Sequence, residues 1–290
     1  MPVEDLELEA ALAAVEAARE RPYFDESADE AERERYYRPV DGAATGAELY
    51  RALSALLEDT HGPQPSYKPT RFVYPWVDLH PDGLLRSIYS GESFTAEELV
   101  RADLEAERAR SERLIGLVRD GVALGPRELE AEFDALEREM PFNCEHVVPQ
   151  SWFSKREPMR GDLHHLFACE SRCNSFRGNW PYFDFDRRRR VLREDCGRRE
   201  EEGFQPSAGR GPVARATIYF LLRYPRQVGD TERELTAGRL EMLLRWHEND
   251  PVSEYERHRN AAVHDLQGNR NPLIDRPDWA RELDFAAAWT

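Results

Sequence analysis

Two stretches of this chain hold residue types that can move a proton and grip a hard cation. Glu145 and His146 are neighbours in Asn143-Cys144-Glu145-His146-Val147-Val148-Pro149-Gln150-Ser151-Trp152, and Asn174 stands in Ser171-Arg172-Cys173-Asn174-Ser175-Phe176-Arg177-Gly178-Asn179. Imidazole has the ordinary pKa that suits it to take a proton from water near neutral pH. A carboxylate and an amide oxygen suit a hard divalent ion that keeps its other positions for water and substrate oxygens. The set fits hydrolysis of a phosphodiester, in which the attacking water loses a proton while charge builds on the phosphoryl and leaving oxygens. An arginine fork suits a phosphate better than a lysine ammonium does; Arg160, Arg177 and Arg156 are the candidates, in that order. Each residue also has a plainer reading: a hydrogen-bonded core histidine, a surface acid, an asparagine that caps a helix.

The pattern around these residues reads as strand, loop, strand, helix. Adjacent strand residues point to opposite faces, so Glu145 and His146 share one site only if their strand is twisted or ends there. Sixteen residues after His146 begins Asp162-Leu163-His164-His165-Leu166-Phe167, read as the second strand, with one histidine inward and one outward. Asp162 is positioned to fix a histidine or a loop. Arg187–Arg190 reads equally as a phosphate-tracking patch or a solvated run. Asn269, Arg270 and Asn271 either reach the site or serve the turn before Pro272.

The remaining chain is mostly helical in pattern. Helices are expected over 3–20, 45–58 (with Thr45 and Glu48 as a capping box), 96–118, 127–139, 213–224, 231–248 and 253–264, with 71–90 irregular or in short strands. No run of about 18 apolar residues is present, so no helix crosses a membrane. The net charge is −16 and falls wholly within residues 1–140, whereas 141–226 carries 16 basic against 11 acidic residues. A polyanion needs local cations rather than a positive total, so the acidity does not exclude nucleic acid. With no basic and apolar leader at Met1-Pro2-Val3-Glu4-Asp5, the expected location is cytoplasmic.

The blocks EHVVPQSW from Glu145, PMRGDLHHLF from Pro158 and CNSFRGN from Cys173 resemble, in residue type, order and spacing, the ββα-metal (His-Me finger) core of the bacterial endonuclease I family. Tyr89-Ser90-Gly91, residues 211–224, and the segment from Asp250 to Asp275 resemble flanking blocks, so that the likeness covers roughly residues 45–280. The resemblance implies an α+β fold: a mostly helical body around a ββα-metal finger at about 143–185 with short antiparallel strands. It divides the chain into an acidic extension, 1–40, and a nuclease domain, 41–290. It makes His146 the general base, with Arg160 and Arg177 at the phosphate. Glu145 and Asn174 would hold one Mg²⁺, with Mn²⁺ or Ca²⁺ as alternatives. The substrate would be DNA, with RNA as the second candidate, cut with little base specificity because phosphates carry no sequence information directly.

Four cysteines, Cys144, Cys169, Cys173 and Cys196, cluster around these blocks. In a reducing compartment disulfides are disfavoured, and the expectation is one structural Zn²⁺ held by the four thiolates, ahead of four free buried thiols, with disulfides third if the protein is exported. Two other readings compete with the nuclease. One is a zinc hydrolase of a different substrate built on His164, His165 and a carboxylate, which lacks an HExxH helix spacing. The other is a non-catalytic nucleic-acid-binding or interaction protein on a nuclease scaffold. An unspecific nuclease inside a cell needs restraint, either by an inhibitory partner or by self-shielding with the acidic first 40 residues; the plainer reading of those residues, which comes ahead of shielding, is a disordered or packing extension.

Overall fold

A computed structural model describes residues 3–40, 42, 44–119, 125–139, 143–186, 192–229 and 234–289. The helices are α1 (Val3–Arg19), α2 (Glu26–Tyr36), α3 (Gly46–Thr60), α4 (Pro69–Phe72), α5 (Ala96–Arg119), α6 (Pro126–Glu139), α7 (Ser171–Arg177), α8 (Arg210–Arg223), α9 (Ala237–Asn249), α10 (Glu254–Gln267), α11 (Pro272–Asp275) and α12 (Trp279–Glu282). The strands are β1 (Leu85–Arg86), β2 (Ser93–Phe94), β3 (Cys144–His146), β4 (Leu166–Ala168), β5 (Leu192–Glu194), β6 (Gly197–Glu200) and β7 (Gly203–Pro206). They pair antiparallel as β1-β2, β3-β4 and β5-β6-β7. The fold is α+β, helix-rich around small sheets, as expected.

The apolar sequence of α8 has its physical counterpart in burial, since nearly every residue from Gly211 to Arg223 is buried. It packs on α9 and α3 and on the turn that precedes β4. Ser253 and Glu256 cap α10 reciprocally. Gly268 ends it at φ +89, where a Cβ would meet the Thr60 carbonyl oxygen at 2.4 Å.

Several local expectations need correction. Thr45 precedes α3 without a side-chain cap bond; the reciprocal cap forms instead at α5, between Thr95 and Glu98. Helix α9 starts at Ala237, where Thr236 caps it; of the residues expected to precede it in the helix, 234–236 are not helical and 231–233 lie outside the described residues. Residues 71–77 are helical rather than extended. Helix α2 was not anticipated: Asp25 caps it and its last residue, Tyr36, enters the core beside Tyr37. The second strand begins at Leu166, so His164 and His165 lie in a 3₁₀ turn, and both are buried rather than one inward and one outward.

Buried charges tie the helices to the β3-β4 pair. Arg259 on α10 pairs with Asp78, donates to the carbonyl oxygens of Leu163 and Leu166, and lies 3.8 Å over the Phe167 ring. Asp78 also accepts from Tyr255 Oη at 2.7 Å and from Ala168 N at 2.6 Å. A buried charge left without its partner is costly even where the intact pair is energetically neutral. Asp162 accepts from Tyr219 Oη and Tyr224 Oη, both at 2.8 Å, from Gln267 Nε2 at 2.9 Å and from His164 N at 3.0 Å. Burial pushes its pKa up, but His61, His164, His165 and the Gln267 bond outweigh this and hold the carboxyl well below its ordinary range.

Two outcomes follow from these networks. Arg259→Ala should cost about 3–5 kcal/mol in urea unfolding, and a loss below about 1 kcal/mol would contradict the clamp. For Asp162 the folded pKa lies below the unfolded one, so its contribution is present above pH ~4 and lost on further acidification. The gap in unfolding free energy between wild type and Asp162→Asn should therefore be flat above pH ~5 and shrink below pH ~4; a gap unchanged at pH ~3 would contradict the assignment.

Candidate active site

The site is built on the short pair β3-β4, in register Cys144↔Ala168, Glu145↔Phe167 and His146↔Leu166, extended by Val147 N to His165 O at 3.0 Å. Helix α7 latches onto four successive residues, the three of β3 and Val147 just past its end. Asn174 Nδ2 donates to Cys144 O at 3.1 Å. Arg177 Nη1 donates to Glu145 Oε1 at 2.8 Å and to His146 O at 3.3 Å, and Nη2 to Val147 O at 2.8 Å. Asn174 and Arg177 are i and i+3, so one helix face carries both. His146 is the last residue of β3, and the pair of functional candidates thus sits where the strand ends.

Glu145 and His146 are 2% and 5% exposed. Glu145 Oε1 also accepts from Tyr89 Oη at 2.8 Å, and Tyr89 is hydrogen-bonded to Tyr182 at 2.7 Å. Burial pushes the Glu145 pKa up to about 7, against the lowering effect of Arg177 and Tyr89. Burial likewise holds His146 well below its ordinary value, so the ring is neutral at physiological pH. His146 Nε2 is 2.9 Å from the Arg160 carbonyl oxygen. A carbonyl only accepts, so Nε2 carries the proton and Nδ1 carries the lone pair. Tyr67 packs on this ring, centroids 4.5 Å apart, and Arg160 lies 5.2 Å from the centre of the Tyr67 ring. In Asn174, the donation from Nδ2 leaves Oδ1 as the acceptor end of the amide.

Other expected residues fall elsewhere. Arg177 is 1% exposed beneath Glu145, committed to a carboxylate and two carbonyls rather than presented to a phosphate. Arg160 is half-buried and bonds Gln150 Oε1 at 2.9 Å. Arg156 is exposed and bonds Phe153 O and Gln227. The rings of His164 and His165 meet the carbonyl oxygens of Asn269 and Met159, and no carboxylate completes a zinc site with them among the described residues. Asn269, Arg270 and Asn271 are buried in the fold: they bond Tyr219, Asp275 with Asp29, and the first turn of α11. Arg187–Arg190 lies outside the described residues.

The four-thiolate zinc is not formed. Cys173 and Cys196 are joined as a disulfide linking α7 to the β5-β6 turn. Cys144 and Cys169 are buried thiols whose pKa values are pushed up by burial, away from the thiolate a zinc ion needs. Tyr67, Tyr89 and Tyr182 are site neighbours that the sequence did not single out. Tyr89 lay in a noted block without an assigned role, and Tyr67 carried no signal in its loop.

The family model for endonuclease I matches residues 130–278, slightly more than half of the chain. The extracellular ribonuclease of Bacillus amyloliquefaciens is 34% identical over 157 residues, 49% of this chain and 53% of that protein. The extracellular deoxyribonuclease of Aeromonas hydrophila is 28% identical over 163 residues, 48% of this chain and 67% of the relative. A periplasmic deoxyribonuclease of the same organism is 29% identical over 123 residues, covering 41% of this chain and 48% of that one. The chain spans about half to two-thirds of the length of these curated relatives. Their compartments overturn the cytoplasmic expectation, which rested on the absence of a leader, and the disulfide fits an oxidising one. The length and order of the family match, laid over the ββα unit just described, place the chain in the endonuclease I family.

Proposed function

We propose that the chain is an exported, divalent-metal-dependent endonuclease that hydrolyses phosphodiester bonds of DNA and RNA with little base specificity. The activities for which its relatives are named, ribonuclease and deoxyribonuclease, support both substrates. The observation that carries the reading is the lock on His146. With Nε2–H tied to the Arg160 carbonyl, the ring offers one lone pair, on Nδ1, and is neutral when it does so. It takes the proton of the attacking water there, and the Arg160 carbonyl stabilises the imidazolium that forms.

Glu145 and Asn174 suit a hard cation. Glu145 is a buried carboxylate with an elevated pKa, balanced in part by Arg177, and its second oxygen widens the donor set beyond Oε1. Asn174 adds an amide oxygen on the same unit. When bound, the ion supplies a positive charge to the phosphoryl and leaving oxygens. Arg177 positions Glu145 rather than gripping the phosphate. Arg160, half-buried beside Tyr67, is the guanidinium assigned to the substrate side.

Supercoiled plasmid and an RNA transcript, each with Mg²⁺ or with EDTA, test the reading. His146→Ala should lose at least about 100-fold in rate on both substrates, and Glu145→Gln should fall comparably. EDTA should abolish cleavage by the wild type. Undiminished cleavage by His146→Ala, or cleavage indifferent to EDTA, would contradict it.

A further inference from the structure

Beside the proposed proton acceptor lies a second imidazole that the proposed chemistry leaves unused. His165 is 0% exposed. Its ring stands edge-on to that of His146, centroids 5.4 Å apart, with Phe220 at 5.1 Å and Phe153 at 6.0 Å around it. His165 Nε2 lies 2.6 Å from the Met159 carbonyl oxygen, and its Nδ1 is buried with no hydrogen-bond partner. His146 makes the same bond to the next carbonyl in the chain, that of Arg160. The two imidazoles therefore hold two successive peptides of the turn Met159–Gly161, each through Nε2–H.

Packing alone does not account for a histidine here. A phenylalanine would fill the same aromatic box without burying an unpaired nitrogen, which is a net cost. The histidine supplies what a phenylalanine lacks, a donor for Met159 O. Adjacent peptides share an α-carbon, so fixing the direction of one carbonyl narrows the directions open to the next. We propose that His165 is a positioning residue: by holding the Met159 carbonyl it aims the Arg160 carbonyl at His146 Nε2, and so keeps the His146 lone pair on Nδ1. This rests on the reading of His146 as the proton acceptor, but its spectroscopic test does not.

The experiment compares wild type, His165→Phe and His165→Gln by ring ¹⁵N shifts, by thermal melting, and by kcat and KM on plasmid with Mg²⁺. In the wild type both rings should be single tautomers protonated on Nε2. His165→Phe should melt close to the wild type but show a mixed His146 tautomer, with kcat down about 100-fold and KM within about threefold. Glutamine places its amide nitrogen where imidazole Nε2 stood. His165→Gln should restore the single tautomer and at least about a third of kcat, an expectation set by the same geometric argument. Wild-type His146 protonated on Nδ1 would overturn the proposal. So would wild-type kcat with an unmixed tautomer in His165→Phe, or a folded His165→Gln that fails as far as His165→Phe. If His165→Phe unfolds, the wild-type tautomer and the glutamine variant decide the question. If no form cleaves nucleic acid, the tautomers still decide it, and only the reading of His146 as a base falls.

Discussion

The buried ion pair between Arg177 and Glu145 is the interaction on which the site depends. A carboxylate removed from water is expensive, and here one guanidinium and one tyrosine hydroxyl offset part of the cost. The same guanidinium also takes the carbonyl oxygens of His146, which ends the strand, and of Val147, which follows it. Strand, helix and carboxylate are thereby fixed by a single side chain. Asn174, one turn earlier on α7, adds a fourth attachment to the strand. With a three-residue strand the backbone ladder alone could not hold such geometry, and α7 makes up the difference.

That arrangement explains why so much charge lies inside this protein. The strand β4 is itself held by Arg259, whose guanidinium reaches the carbonyls of Leu163 and Leu166, and by Asp78, which accepts from Ala168 N. Asp162 gathers Tyr219 from α8, Tyr224 from just past its end and Gln267 from α10 around the turn that carries His164 and His165. These residues lie far apart in sequence and share one outcome, which is to clamp the β3-β4 pair and the turn before β4 between α8 and α10. The disulfide from Cys173 to Cys196 adds a covalent tie between α7 and the β5-β6 hairpin.

The legible part of the site was its local part. Glu145, His146 and Asn174 announce themselves by type and order, and the strand–loop–strand–helix pattern locates them. Partners fixed by tertiary contact were not legible. Nothing in the Arg177 neighbourhood distinguishes a phosphate fork from a buried counter-ion, because both need the same guanidinium. The histidine pair misled for a related reason: a 3₁₀ turn has no apolar period, so Asp162–Leu166 reads as the start of a strand. The four cysteines share a neighbourhood in sequence, but their spacing does not say which of them meet in space. The helices were more legible where an apolar face was pronounced, as in α3 and α8, than in α2, whose sequence is charged almost throughout and whose core contacts come from Tyr36 and Tyr37 at its end.

The account stands or falls on one cation bound by the oxygens of Glu145 and Asn174. A crystal soaked in Mn²⁺ and measured at its anomalous edge should show a single strong peak about 2.1–2.6 Å from oxygens of both side chains, the range of hard-cation contacts. A peak elsewhere, for example at Glu170 beside the disulfide, with Glu145 and Asn174 bonded only to protein, would contradict it.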